Sequence, residues 1–166
     1  IGPNLEMIDV IKILKNSKDA PKELRKKSLY LASKLMSLCG IKNSEKRSED
    51  ILSSGKAYEK FKEIINAQNK SNDFEKRLSK LHVARNRIYF KSDRSGKIKK
   101  IKNKEVNALC RILGTPENQD AGIYLEKHAG DIVKKGDIIF TMYSESKTKI
   151  EDAKDFLKEF KIVEVR

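Results

Sequence analysis

Residues 121–143, AGIYLEKHAGDIVKKGDIIFTMY, leave fewer folds open than any other stretch of this chain. Two apolar runs, residues 122–126 and 138–143, have the length and composition of strands. Between them the dipeptides Gly130-Asp131 and Gly136-Asp137 recur six residues apart, flanking Ile132-Val133. Glycine reaches positive φ without a Cβ clash, so both dipeptides predict corners where short strands reverse. A chain that turns twice in so short a span wraps into a small barrel-like sandwich rather than a flat sheet.

The neighbouring segments fit around that sandwich. Residues 85–91 (RNRIYFK) and 97–102 (KIKKIK) read as strands joined by the turn Ser92-Asp93-Arg94-Ser95-Gly96. Asn103 is placed to cap a helix carrying Val106, Leu109, Cys110, Ile112 and Leu113, which Gly114 stops, with Pro116 two residues beyond. A helix from about Lys147 puts Ile150, Ala153, Leu157 and Phe160 along one side, and residues 161–166 (KIVEVR) close as a strand. The order β-β-α-β-β-β-α-β over residues 83–166 predicts a compact α+β unit. Residues 1–82 predict a separate, helical segment. Its helices cover 4–16, a stretch from Asp19-Ala20-Pro21 to Gly40 with Leu24, Leu31, Leu35 and Leu38 at helical spacing, then 44–55 and 56–68. A short helix with Phe74, Leu78 and Leu81 follows. The first of these is apolar on most sides and has few candidates within the chain to cover it.

Charge narrows the function classes. A formal net charge of +13 raises the idea of a nucleic-acid or acidic ligand. The lysines, however, are interleaved with Asp and Glu along the whole chain, and the dense cluster Lys97, Lys99, Lys100, Lys102 and Lys104 contains no aromatic platform. The sequence therefore predicts solvated basic faces, and nucleic acid is not the expected partner. No apolar run approaches the roughly 18 residues of a membrane span, so no membrane association is expected. Cys39 and Cys110 each lie inside an apolar helical pattern, which predicts buried, reduced thiols and a cytoplasmic protein. The chain opens Ile-Gly-Pro in what reads as a loop feeding a helix, and is expected to be a fragment, a processed piece or one half of a split protein.

Motifs for catalysis are absent. His82 and His128 lack a Cys, His or carboxylate at zinc-site spacing, and no phosphate-binding glycine loop occurs. The Gly-Asp-x-Val-x-x-Gly-Asp rhythm also occurs in biotinyl and lipoyl carrier domains. Those display their modified lysine on a tight hairpin such as Met-Lys-Met, which this chain lacks, and the helix predicted over 103–113 separates the first strand pair from the sandwich.

Several motifs in order resemble the pyrimidine-nucleoside phosphorylase family, most closely its archaeal AMP phosphorylase branch. Gly2-Pro3-Asn4-Leu5-Glu6 is similar to the family's Gly-x-x-Leu-Glu segment. Ser54-Gly55-Lys56-Ala57-Tyr58-Glu59-Lys60-Phe61, followed by Ile64, Ile65, Ala67 and Gln68, resembles its Ser-Gly-x-Ala-x-x-x-Phe…Ala-Gln helix. Asp93-Arg94-Ser95-Gly96 stands where the family's C-terminal domain begins, and residues 121–146 resemble that domain itself.

The resemblance implies that residues 1–82 are the helical end of a central α/β domain and that 83–166 form an α/β-hammerhead, barrel-sandwich-like domain. It implies a parent enzyme that phosphorolyses AMP, or a nucleoside, to free base and ribose 1,5-bisphosphate or a pentose 1-phosphate. Inorganic phosphate would be the co-substrate and no organic cofactor is implied. The family's catalytic and substrate-binding groups lie upstream of the matched motifs, so none is carried onto this chain. The implied role of the segment is scaffolding and oligomerisation; its implied partners are the missing N-terminal part of the enzyme and further copies of itself. A stand-alone oligomerisation module is the alternative. Some family members hold a structural cation near the first helix, which makes Asp9, with Glu6, the candidate ligands for a monovalent or divalent ion. The same carboxylates also suit the positive end of a helix dipole.

Overall fold

The computed structural model describes residues 1–166 and contains seven helices and six strands. They form two compact units, residues 7–81 and residues 1–6 together with 82–166. The opening six residues thus go with the C-terminal unit, an association of backbone atoms with the Asn4 and Leu5 side chains that apolar periodicity does not report.

The helical unit contains most of α1 (Pro3–Leu14) and all of α2 (Lys22–Leu38), α3 (Ser44–Ser53), α4 (Lys56–Asn69) and α5 (Phe74–Leu78). Pro21 sits just before α2 in extended backbone (ψ 110°), so the helix starts one residue after the proline. Gly40 and Ile41 donate back to the Ser37 and Met36 carbonyls and stop it. α2 and α3 pack on each other, and each carries a buried serine, Ser33 and Ser48. Each hydroxyl donates to a carbonyl of its own helix, Tyr30 and Glu45 respectively, so neither is left unsatisfied. An Arg25–Glu49 ion pair joins the same two helices. On α4, Tyr58 and Phe61 make edge-on ring contacts with Phe74 of α5 at 5.8 and 6.0 Å, while Ile64 stays exposed. The apolar first helix is less covered than its composition predicts. Ile11 and Ile13 are buried, but Met7, Ile8, Val10 and Leu14 are only half-buried.

The C-terminal unit holds two three-stranded antiparallel sheets, in the orders β1-β5-β3 and β4-β2-β6. The strands are β1 (Asn86–Lys91), β2 (Gly96–Ile101), β3 (Gly122–Leu125), β4 (Ile132–Val133), β5 (Ile138–Ser144) and β6 (Val163–Val165). β1 and β2, adjacent in sequence, lie in different sheets, so the Ser92–Gly96 turn is a corner between sheets. Ser92 is buried there, donating its N–H to the Asp137 carbonyl while its own carbonyl accepts from Gly136.

β5 is the central strand of its sheet and runs almost continuously buried from Ile139 to Met142. Its pairing with β1 shifts beside Phe90, where Phe140 is the opposite residue and Ile138 is next, leaving Ile139 as the extra residue. Phe90 and Phe140 stack with centroids 4.5 Å apart. The core also takes Val106, Leu109, Cys110 and Leu113 from α6 (Asn103–Leu113), and Ile150 and Ala153 from α7 (Lys147–Glu159). Each fully buried Leu, Ile, Phe or Met there contributes about 1.5–3 kcal/mol by leaving water. Ile139 and Phe140 are wholly inside this core, and Ile88 and Phe90 pack against it. Asn103 is not the cap that the sequence predicts. Lys102 occupies that position in extended backbone, its N–H held by the Ile162 carbonyl, so Asn103 enters the first turn.

The twin Gly-Asp dipeptides build the same turn twice. Asp131 N–H donates to the His128 carbonyl at 3.1 Å and Asp137 N–H to the Lys134 carbonyl at 3.0 Å. In each turn the aspartate side chain accepts from the first residue's own N–H, at 2.7 Å from His128 and 2.9 Å from Lys134. Gly130 and Gly136 occupy the third position with φ of 101° and 94°, which a β-turn of this kind requires. Asp137→Ala should remove one side-chain acceptor and lower the stability of this unit by about 1 kcal/mol. Gly136→Ala should cost a similar ~1 kcal/mol through backbone strain. Chemical denaturation followed by a probe in the C-terminal unit measures both.

Candidate functional site

Gly2-Pro3-Asn4-Leu5-Glu6 is stitched along residues 119–123. The Ile1 nitrogen donates to the Ile123 carbonyl at 2.7 Å, and Ile123 N–H returns to the Ile1 carbonyl at 2.8 Å. That reciprocal pair extends the edge of β3 by one residue. Backbones cross so closely here that a Cβ on Gly2 would lie 2.5 Å from the Ala121 oxygen, and one on Gly122 would lie 2.2 Å from the Ile1 oxygen. Leu5 is buried next to this crossing. Asn4 fastens the far side, donating from Nδ2 to Asp120 Oδ1 at 2.6 Å and to the His82 carbonyl at 2.9 Å, while its N–H reaches the Gln119 carbonyl. His82 Nε2 lies 3.2 Å from the other Asp120 oxygen. Asp120 thus spends both oxygens on positioning partners, and the trio works as a clasp.

The second motif, at Ser54-Gly55-Lys56, forms the junction of α3 and α4. Gly55 supplies the αL residue before α4, and Asn16 Nδ2 donates to the Leu52 carbonyl at 2.9 Å, fixing the end of α1 there. An open recess of about 750 Å³ lies at this corner, bordered by Lys15, Lys56, Tyr58 and Glu63 among others. Lys60 pairs with Glu63, and Lys15 stands 5.0 Å over the Tyr58 ring. The recess has charge of both signs and could hold a polar ligand, but it assembles no nucleophile with an oriented base.

The remaining predicted positions are dispersed. Glu6 is exposed and accepts from Gly2 N–H at 3.3 Å; Asp9, half-buried, stands a turn further along α1. No group of three or more His, Cys, Asp and Glu side chains converges as a metal site. His128 lies 3.9 Å from Asp131 in the first Gly-Asp turn. The lysines of β2 face water in a pattern set by a bulge. Ile98 pairs with Val165 and Lys100 with Glu164, so Lys99 is an extra residue, and Ile98 and Ile101 both turn inward. Lys102 lies 4.0 Å from Glu164. Sequence reasoning missed the Asn4–Asp120–His82 clasp because its three members are scattered along the chain; the pairing of Gly2 with Gly122 has no local signal at all.

The two cysteines part company. Cys110 is buried in the core, and desolvation pushes its thiol up to about 11. Cys39, expected to be buried, is exposed at the end of α2, where Leu35 and Leu38 are exposed as well. The helical pattern was real, but its apolar side is uncovered. Alkylation near neutral pH should therefore modify Cys39 alone in the native chain and both cysteines in denaturant, as intact-mass spectrometry would show. The Cys110 shift is a raised one, so its stabilising effect is whole below pH 9 and is lost as pH rises from 9 toward 11, where the unfolded thiol ionises first. Unfolding midpoints across that window should fall less in Cys110→Ala, whatever its lower starting stability. Gly122→Ala should cost at least about 2 kcal/mol by prising Ile1 from Ile123, read as lost hydrogen-exchange protection at Ile123.

Comparison with known proteins agrees with this geometry. Residues 97–162 match the pyrimidine nucleoside phosphorylase C-terminal domain. An AMP phosphorylase of Methanocaldococcus jannaschii is 33% identical over 156 residues, covering 92% of this chain and 30% of the relative. A protein of Legionella pneumophila named as a thymidine phosphorylase is 33% identical over 163 residues, 96% of this chain and 30% of the relative. An AMP phosphorylase of Thermococcus sibiricus is 35% identical over 92% of the chain, again 30% of the relative. This chain therefore spans about a third of the length of the curated relatives it matches. No helix is long and apolar enough to cross a membrane. By these matches residues 97–162 carry the pyrimidine nucleoside phosphorylase C-terminal domain, and most of the chain is similar to one third of AMP and thymidine phosphorylases.

Proposed function

We propose that this chain is the C-terminal, scaffolding portion of a phosphorylase that splits AMP, or a nucleoside, with inorganic phosphate. The observation that carries this reading is the match to AMP and thymidine phosphorylases over nearly all of this chain and only a third of theirs. The reaction makes an electrostatic demand. An anionic phosphate must be held in line with C1′ while the sugar develops positive charge and the base departs. In this reading the groups that meet the demand come from polypeptide outside these 166 residues. This chain contributes the C-terminal unit and the helices of residues 7–81 as scaffold.

AMP is the substrate we favour, giving adenine and ribose 1,5-bisphosphate, because Gly2-Pro3 and the wording of residues 121–125 follow the archaeal branch. The reading assigns a structural cation to Glu6 and Asp9 with further ligands from outside the chain, no organic cofactor, and a homo-oligomeric intact protein.

The test is a product assay on the purified chain with phosphate and either AMP or thymidine, following adenine or thymine release by chromatography. No turnover is expected from the chain alone. Addition of the part of the Methanocaldococcus jannaschii enzyme outside the matched segment should produce adenine from AMP. Phosphorolysis by the isolated chain would show that the working groups lie within it and would end the proposal.

A further inference from the structure

Every tyrosine of the C-terminal unit stands on one face of the β1-β5-β3 sheet. Ile88 and Phe90 pack against the core, and Ile123 and Met142 are part of it. The alternate residues, Arg87 and Tyr89 on β1, Tyr124 on β3 and Tyr143 on β5, therefore lie on the opposite face. Tyr89 and Tyr124 are both register partners of Thr141, and Arg87 and Gly122 are both partners of Tyr143. Three rings thus come from three neighbouring strands, with Tyr89 and Tyr124 roughly 10 Å apart across β5. Tyr89 is 42% exposed, and Tyr124 and Tyr143 are half-buried. Burial pushes the Tyr143 hydroxyl up, and Glu126, Arg87, Tyr89 and Tyr124 are the groups whose charges act on it.

Cations border the rings. β1 carries Arg87, Tyr89 and Lys91, all exposed, and the exposed Arg85 stands just before the strand. None of Arg85, Arg87 and Lys91 forms an ion pair. Arg87 lies instead 5.8 Å over the Tyr89 ring. The nearby acids are engaged: Glu126 accepts from Thr141 Oγ1 at 3.2 Å, and Glu145 accepts the Arg85 N–H at 3.1 Å. The lysine cluster of β2 has no ring within it, whereas here rings and unpaired cations share one face. Two copies laid face to face would set those cations against each other, which opposes self-association. A polyanion meets the formal charge of +13 instead. Aromatic rings on adjacent strands, with cations beside them, suit the splayed bases and the backbone of a single strand.

We propose that the face bearing Tyr89, Tyr124 and Tyr143 binds single-stranded nucleic acid. Bases stack on the exposed rings, and phosphates follow Arg85, Arg87 and Lys91. Every base has a π face, so the site takes a single strand with little sequence preference. A duplex keeps its bases stacked inside and offers this face only phosphates. Nothing in the site draws on the phosphorolysis reading, and neither stands or falls with the other.

The test is fluorescence anisotropy of the purified chain with fluorescein-labelled oligouridylate and oligothymidylate of about 12 nucleotides, a length within the usual range of single-strand sites. Binding at low salt is expected, at least tenfold tighter than to a mixed-sequence duplex of the same length. Tyr89→Ala should weaken it at least fivefold with an unchanged thermal midpoint, and Tyr89→Phe, which keeps the ring, should retain it. Arg87→Ala should also weaken binding and reduce the slope of log affinity against log salt by about 0.7. The double variant Lys99→Ala and Lys100→Ala, on the other sheet, should leave affinity within twofold. A difference between the ribose and deoxyribose strands identifies which the site prefers, and binding of either bears the proposal out. It is overturned by no binding at low salt, by equal affinity for the duplex or for inorganic polyphosphate, by a Tyr89→Ala variant that binds as before, or by equal losses from the β2 lysines. Adenine release from AMP is a separate readout, so failure of the proposed function leaves this result unaffected.

Discussion

Everything in the C-terminal unit hangs on β5 having no exposed side. It is hydrogen-bonded to a strand on each edge, and its faces are closed by core residues, so Ile139, Phe140 and Met142 are each about 1% exposed. A strand in that position leaves no polar backbone group to water and must be supplied with partners on both edges. β1 and β3 are those partners, and the two Gly-Asp turns deliver the chain from β3 through β4 into β5 in the room available. Buried hydroxyls are dealt with locally: Ser144 Oγ donates to the Leu113 carbonyl at 2.8 Å and Thr115 Oγ1 to Ala121 at 3.1 Å. No buried side-chain polar atom lacks a partner.

The two units solve the burial problem to different degrees. In the C-terminal unit one continuous core draws on α6, α7 and both sheets. The helical unit has buried serines, an aromatic cluster and surface ion pairs, while a row of leucines stays in water. Exposed ion pairs contribute little, typically 0–1 kcal/mol each, so they cannot stand in for the missing burial. A helix can therefore be strongly amphipathic in sequence and still lack a core to face.

That difference explains what could be read from the residues alone. Periods of two and of 3.6 located the helices and strands, since apolar spacing and glycine stops act within a few residues. The Gly-Asp corners were legible for the same reason. Pairing between elements was not: nothing local says that β1 joins β5 rather than β2, or that Gly2 needs the bare backbone of Gly122. Nor does an apolar pattern say whether its partner lies within the same chain, which is why Cys39 and the α2 leucines come out exposed. The polar clasp of Asn4, Asp120 and His82 has no spacing rule, because long-range hydrogen bonds leave no periodic trace.

The bulge in β2 gives the extra Lys99 an unusual standing. Strike it out and Ile98, Lys100 and Ile101 would still alternate inward and outward as an ordinary strand does. What would go is the local bend in a central strand that holds β4 on one edge and β6 on the other. The surplus residue serves curvature rather than pattern, and its lysine side chain is incidental to that task.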